Sequence, residues 1–183
     1  MGLDARVRYT KMVIQQNFVA LLKQKPLNKI TVKEICEKAE INRATFYKYY
    51  ADAYELLEKM EEQFLSELME VIKKSQNDGL KTTLLRILEK MKEDGEHYTA
   101  LFSEYGDTSF PMKIFKSCYL ETKELIQKKF PMLTEVKHAL IYVYIAQGCS
   151  GILNYWISNG LKESPKEISG FISHLIGSTL KNL

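Results

Sequence analysis

Positions 42–48 gather the side chains in this chain best suited to grip a polyanion. Asn42, Arg43, Ala44, Thr45, Tyr47 and Lys48 offer an amide, a guanidinium fork, a methyl group, a hydroxyl, a phenol and an ammonium. Those groups match the hydrogen-bonding edges of base pairs in a major groove and the phosphates that flank it. Phe46, large and apolar among them, must turn towards a core. The same set also suits a polar surface helix of a bundle with no nucleic-acid partner, and spacing alone leaves both readings open.

No catalytic constellation accompanies this cluster. His97, His138 and His174 stand apart, without metal-ligand spacing. Cys36, Cys118 and Cys149 are odd in number, distant and form no C-x-x-C, so neither a disulfide framework nor a structural zinc site is expected. They read as small buried hydrophobes in a reducing cytoplasm. Gly148-Cys149-Ser150-Gly151 fails the nucleophile-elbow pattern, and no phosphate loop, zinc-protease helix or dinucleotide fingerprint occurs. The expectation is a non-enzyme without metal or cofactor.

The elements that must hold positions 42–48 are helices. Apolar residues recur every three or four positions, and period-two alternation is absent. The first helix is expected over Thr10–Gln24, with Val13, Ile14, Phe18, Leu21 and Leu22 facing inward and Pro26 stopping it. Thr31-Val32-Lys33-Glu34 has the capping-box pattern and starts a short second helix. Asn42 is a good N-cap for a third, and Asp52-Ala53-Tyr54-Glu55 opens a fourth that runs to about Lys74. Five more follow near Leu80–Glu93, Glu96–Tyr105, Met112–Phe130, Glu135–Ser158 and Pro165–Leu180, the last begun by Ser164, Pro165 and Glu167. The fold class is all-α, about nine helices, divided into a headpiece, 1–50, and a larger body, 51–183. Within the head, Val32, Ile35, Cys36 and Ala39 face a core, Ile41 lies in a turn, and Phe46 packs back. A short helix, tight turn and second short helix of this kind form a helix-turn-helix. The helix starts at Thr31 and Asn42 also present N–H groups of the kind that favour phosphate.

Charge follows the same division. Residues 1–50 carry ten lysines and arginines against four acids, and the remaining 133 residues carry 16 against 19. A basic head on a mildly acidic body suits a polyanionic partner, although charge alone does not separate it from a solvated surface. No apolar run approaches the ~18 residues a membrane helix needs, and MGLDARVRYTKM is charged, unlike a signal peptide. A cytoplasmic protein is expected.

Thr31-Val32, Ile35, Ala39, Thr45-Phe46-Tyr47, Tyr50 and Leu56-Leu57 stand in the register of a known headpiece. The segment Thr10–Leu57 resembles the DNA-binding headpiece of the tetracycline-repressor (TetR) family of transcription regulators. Ile41-Asn42-Arg43-Ala44-Thr45-Phe46-Tyr47 is similar to a variant common in Gram-positive bacteria. The resemblance implies that Arg43, Ala44 and Thr45 read bases, that Tyr47, Lys48 and Tyr49 touch phosphates, and that Thr31 and Lys33 touch the backbone. Asn42 belongs with them at the start of the reading helix. Arg6 and Arg8 would lie on a pre-helical arm that either reaches a minor groove or stays disordered. Two positions depart from the family. Glu40 stands where a turn glycine is usual, so either it accepts mild strain or the turn differs slightly. Ala53 stands where a phosphate-touching lysine is usual.

For the body the resemblance implies a homodimer and an effector pocket. The glycines of the Glu135–Ser158 helix each cost about 1 kcal/mol against alanine unless close packing offsets them. Gly148, Gly151, Ile152 and Tyr155, with Phe171 and Leu175 on the last helix, are therefore assigned to a dimer interface; close packing within one chain is the alternative. Phe102, Tyr105, Phe110, Met112, Phe115, Tyr119, Tyr142 and Trp156 are candidates to line a pocket for a small apolar or aromatic effector, or are simply core. The expected partner is double-stranded DNA bearing a palindromic operator. The expected function is a repressor released by its effector; the alternative is an activator or co-activator of the same fold acting through a protein partner.

Overall fold

A computed structural model of the chain describes residues 2–75, 78–103, 105–107, 109–117, 127 and 130–181. Among them there is no strand. The helices are α1 (Gly2–Leu22), α2 (Val32–Lys38), α3 (Arg43–Phe46), α4 (Ala53–Lys74), α5 (Leu80–Glu93), α6 (Gly95–Leu101), α7 (110–117), α8 (Glu135–Ser158) and α9 (Pro165–Lys181). Tyr119 and Cys118, and most of the expected Met112–Phe130 helix beyond 117, lie outside the described residues.

α1 begins two turns before the expected Thr10. The stretch after Gly2 holds helix formers and no breaker, so nothing stops the helix from extending backward. Thr10 is no cap; its hydroxyl donates to the Arg6 carbonyl at 2.8 Å, one turn back. Arg6 and Arg8 thus sit on a helix and not on a pre-helical arm, which corrects the sequence expectation. α6 also ends earlier than expected, at Leu101. The Ser103 hydroxyl donates to the Ala100 carbonyl at 2.7 Å and accepts from the Tyr105 N–H at 3.3 Å, which folds the chain into a turn. Gly106 is required there, because a Cβ would lie 2.5 Å from the Leu101 carbonyl oxygen.

The described residues gather into two compact units, 1–66 with 96–108, and 67–95 with 109–183. In the first, Ile14, Phe18 and Leu22 of α1, Ile35 of α2, Phe46 of α3 and Leu56 of α4 are wholly buried, and α2 packs on both α1 and α3. α6 joins this unit: Tyr98 meets Phe64 edge-on at 4.6 Å, and Glu96 pairs with Lys23 at 3.4 Å. In the second unit α5 and α8 pack on α9. Ser164 and Glu167 form the expected reciprocal cap of α9, and Thr134 caps α8. Cys36 and Cys149 are buried as expected, and burial pushes the Cys149 thiol up to about 11.

Candidate nucleic-acid interface

The site starts with the cap of α2. The Thr31 hydroxyl accepts from the Glu34 N–H at 3.2 Å, and the Glu34 carboxylate accepts the Thr31 N–H at 3.0 Å. Lys25 closes on the same carboxylate at 2.5 Å. That ammonium, with the Thr31 N–H and hydroxyl, lowers the Glu34 carboxyl from 4.5 to about 2. α2 is thereby anchored to the end of α1 at a fixed angle.

The turn that follows is a Schellman motif. The Ile41 N–H reaches back to the Cys36 carbonyl at 3.0 Å and the Glu40 N–H to Glu37 at 3.4 Å, with Glu40 left-handed at φ 53°. Glu40 occupies a conformation that usually calls for glycine, as expected from its departure from the family pattern. Asn42 then caps α3, its amide oxygen accepting from the Ala44 N–H at 2.8 Å. Phe46 is wholly buried, with Tyr47 edge-on at 5.8 Å and Tyr50 tilted at 5.6 Å. Burying Phe46 fixes the rotation of α3, and that rotation leaves Arg43, Ala44, Tyr47 and Lys48 exposed on one side. Thr45 and Tyr49 are half-buried beside them.

Not every expected contact is equally available. The Thr31 hydroxyl and the Asn42 amide oxygen are engaged in capping, which leaves the Asn42 amide N–H groups for a partner. Lys33 is exposed and pairs with Glu37 at 3.7 Å, a surface ion pair that a phosphate readily displaces. Sequence reasoning missed Lys11, whose ammonium lies 5.7 Å from the centre of the Tyr49 ring. No local pattern marks it, because Lys11 and Tyr49 meet only in the folded head.

The pocket candidates divide. Phe115 and Tyr142 line a hollow of about 390 Å³ in the second unit together with Met112, Val143 and Ala146, and the Tyr142 hydroxyl donates to the Phe115 carbonyl. Phe110 is wholly buried. Phe102 packs on Phe64 at 6.2 Å, and with Tyr105 it belongs to the first unit. Trp156 is wholly buried, and its indole N–H donates to the Glu163 carbonyl at 3.1 Å, tying the turn between α8 and α9. His138 is buried with Nε2 2.9 Å from the Phe130 carbonyl oxygen. Among the described residues no group of three potential ligands is placed to hold a metal.

Among the described residues, a Cβ built on Gly148 or Gly151 of α8 meets nothing within 4 Å outside its own helix turn. Close packing among the described residues therefore does not account for these glycines. Tyr155 is 67% exposed, Phe171 55% and Leu175 40%, while Ile152 is half-buried; they border grooves between α8 and α9. No described helix is long and apolar enough to cross a membrane.

Two family models match the chain. One, described as bacterial regulatory proteins of the tetR family, covers residues 19–60; the other, described as a transcriptional regulator C-terminal region, covers 78–178. The chain belongs to the TetR family of transcriptional regulators. The members of that family are DNA-binding transcriptional regulators. This TetR-family chain is 26% identical over 171 residues to the uncharacterized HTH-type transcriptional regulator YxbF of Bacillus subtilis strain 168. The match covers 89% of this chain but only 43% of that relative's length. A TetR transcriptional regulator from Streptococcus agalactiae 2603V shares the fold with a TM-score of 0.67 at 22% identity, over 96% of this chain and 98% of that one. The dihydroxyacetone kinase operon activator DhaS shares it with a TM-score of 0.64 at 23% identity, over 95% and 97%.

Proposed function

We propose that the chain is a homodimeric, cytoplasmic repressor whose two heads each read half of a palindromic operator, released when a small apolar or aromatic effector binds the body. The observation that carries the DNA-reading half is the single exposed side of α3. Buried Phe46 and the Asn42 cap set its rotation and present Arg43, Ala44, Tyr47 and Lys48 together. Arg43, Ala44 and Thr45 read base edges; Tyr47, Lys48, Tyr49 and Lys33 hold phosphates, with Thr31 and Asn42 shaping the helix starts. Ile41–Tyr47 supports placing the chain in the Gram-positive variant of the family. One short helix reads too few bases for useful specificity, so two heads are needed, with half-site centres about one to one and a half turns of ~10 bp apart.

The exposed glycines and aromatics of α8 and α9 support the dimer: Gly148, Gly151, Ile152, Tyr155, Phe171 and Leu175 form the isologous face. Phe115 and Tyr142 supply the effector seat, with the ligand favouring a body conformation in which the two heads no longer fit one operator. DhaS is named as an operon activator, and this supports a second reading, activation through a partner protein. Selection of bound duplexes from a random pool, followed by footprinting, tests the proposal. A palindrome protected on one face of the duplex supports it. Failure to enrich any sequence overturns it, and a reporter assay on the selected operator separates repression from activation.

A further inference from the structure

We propose that α1 carries a second DNA contact, a phosphate clip formed by Arg8 and Lys11 together with Tyr49, alongside the base-reading side of α3. This rests on the DNA-binding reading above and adds to it a site on a different helix. Arg8, Lys11 and Gln15 are three and four residues apart, so they share one face of α1. The orientation of that face is set by Lys11, whose ammonium lies 5.7 Å from the Tyr49 ring centre. The face therefore runs past the end of the reading helix, and Arg8, exposed, continues it by one further turn, about 5 Å.

The chemistry fits a phosphodiester backbone. A cation over an aromatic face is held by about 0.5–1 kcal/mol at an exposed site, so Lys11 loses less freedom when it meets an anion. The Tyr49 hydroxyl can donate to the same phosphate that Lys11 neutralises. Lys48, next to Tyr49 in sequence, is exposed and adds a further cation at the end of α3. Because α1 is helical from Gly2, the strip is a rigid rod alongside a backbone. A flexible arm would instead enter a minor groove and read its A·T or G·C content.

The two modes differ in measurable ways. Removing one phosphate-neutralising cation reduces the slope of log affinity against log salt by about 0.9, so the Arg8→Gln, Lys11→Gln double variant should lower it by nearly two per bound head. The probe is a fluorescein-labelled duplex of about 24 mixed base pairs, with all-A·T and all-G·C duplexes of equal length beside it. The clip predicts the same reduction on all three. Tyr49→Phe, which keeps the ring under Lys11 and removes no charge, should leave the slope unchanged and weaken all three duplexes severalfold, and melting curves confirm that each variant is folded. An unchanged slope in a folded double variant overturns the clip and leaves Lys11 as a prop for the Tyr49 ring. A reduction confined to the A·T duplex overturns it in favour of a minor-groove arm. If the wild-type chain binds no duplex, the DNA-binding reading fails and the clip with it.

Discussion

At the scale of single residues, exposure and engagement decide roles more sharply than residue type. Arg43 and Lys48 are both exposed cations that follow the Glu40 turn, yet they are expected to act differently. Arg43 stands in the first turn of α3, where a bidentate contact to a guanine edge is worth about 1–3 kcal/mol of discrimination. Arg43→Ala should therefore weaken operator binding about ten- to a hundredfold while leaving random duplex nearly unaffected. Lys48→Ala should weaken both alike and lower the salt slope by about one unit. Titrations of each variant against operator and random duplex at several salt concentrations check this; equal effects of Arg43→Ala on both would assign it to phosphate. Glu40 is the complementary case, a residue whose role is conformational. Its φ of 53° is strained for any residue with a Cβ by about 1–2 kcal/mol, and glycine escapes that strain at an entropic cost of about 0.5–1. Glu40→Gly should leave the melting temperature equal or slightly raised. Glu40→Ile, β-branched in a left-handed position, should lower it by several degrees, about 1–2 kcal/mol. Thermal melts of the two variants side by side settle the sign.

At the scale of elements, the caps determine where helices start, and the starts aim the site. Thr31→Ala removes one half of the α2 cap and should cost about 1 kcal/mol. The Glu34 half depends on pH in a definite direction. Its carboxyl is lowered from 4.5 to about 2 by Lys25 and Thr31, so the stabilisation is complete above about 4.5 and disappears as pH falls through 2. Glu34→Gln should flatten the part of the acid-unfolding profile that lies in that window, and an unaltered profile would show that the Lys25 contact contributes nothing. These caps were legible in the sequence because a capping box is local chemistry: Thr31–Glu34, Asn42 and Ser164–Glu167 all stand as their spacing implied. The strain at Glu40 was legible too, from a residue that broke a family pattern. Helix ends set by longer-range or weaker signals were not. α1 reaches back to Gly2 because no residue forbids it, and the absence of a breaker is a poor marker of a boundary. α6 stops at Leu101 because Ser103 turns on its own backbone and Gly106 approaches the Leu101 carbonyl, which hydrophobic periodicity does not register. The Lys11–Tyr49 contact joins residues 38 positions apart and is visible only once α1 and α3 are placed.

At the scale of the whole molecule, the α8 glycines matter most, because of what they face. Gly148, Gly151 and Tyr155 are exposed, and Val136, Leu140 and Tyr144 carry the same stripe towards the start of the helix, each 63–67% exposed. Mid-helix glycine is unfavourable by about 1 kcal/mol against alanine, and no packing among the described residues offsets it here. Gly151→Leu therefore has opposite expected effects on the two levels of structure. Within one chain the added Cβ meets no described atom within 4 Å outside its own helix turn, and leucine improves helix propensity, so the isolated protomer should melt no lower than wild type. Across a dimer the same side chain would hold two helices apart, costing about 1–3 kcal/mol and raising the dissociation constant roughly ten- to a hundredfold. Because association stabilises the folded state by mass action, wild-type melting temperature should rise with protein concentration and that of the variant should lag behind it. Sedimentation equilibrium across the micromolar range measures the dissociation constant directly, and operator affinity should fall with dilution in parallel, since one head holds half a site. A Gly151→Leu protein that dimerises as tightly as wild type would place the interface on another face, and the glycines of α8 would then need a different partner.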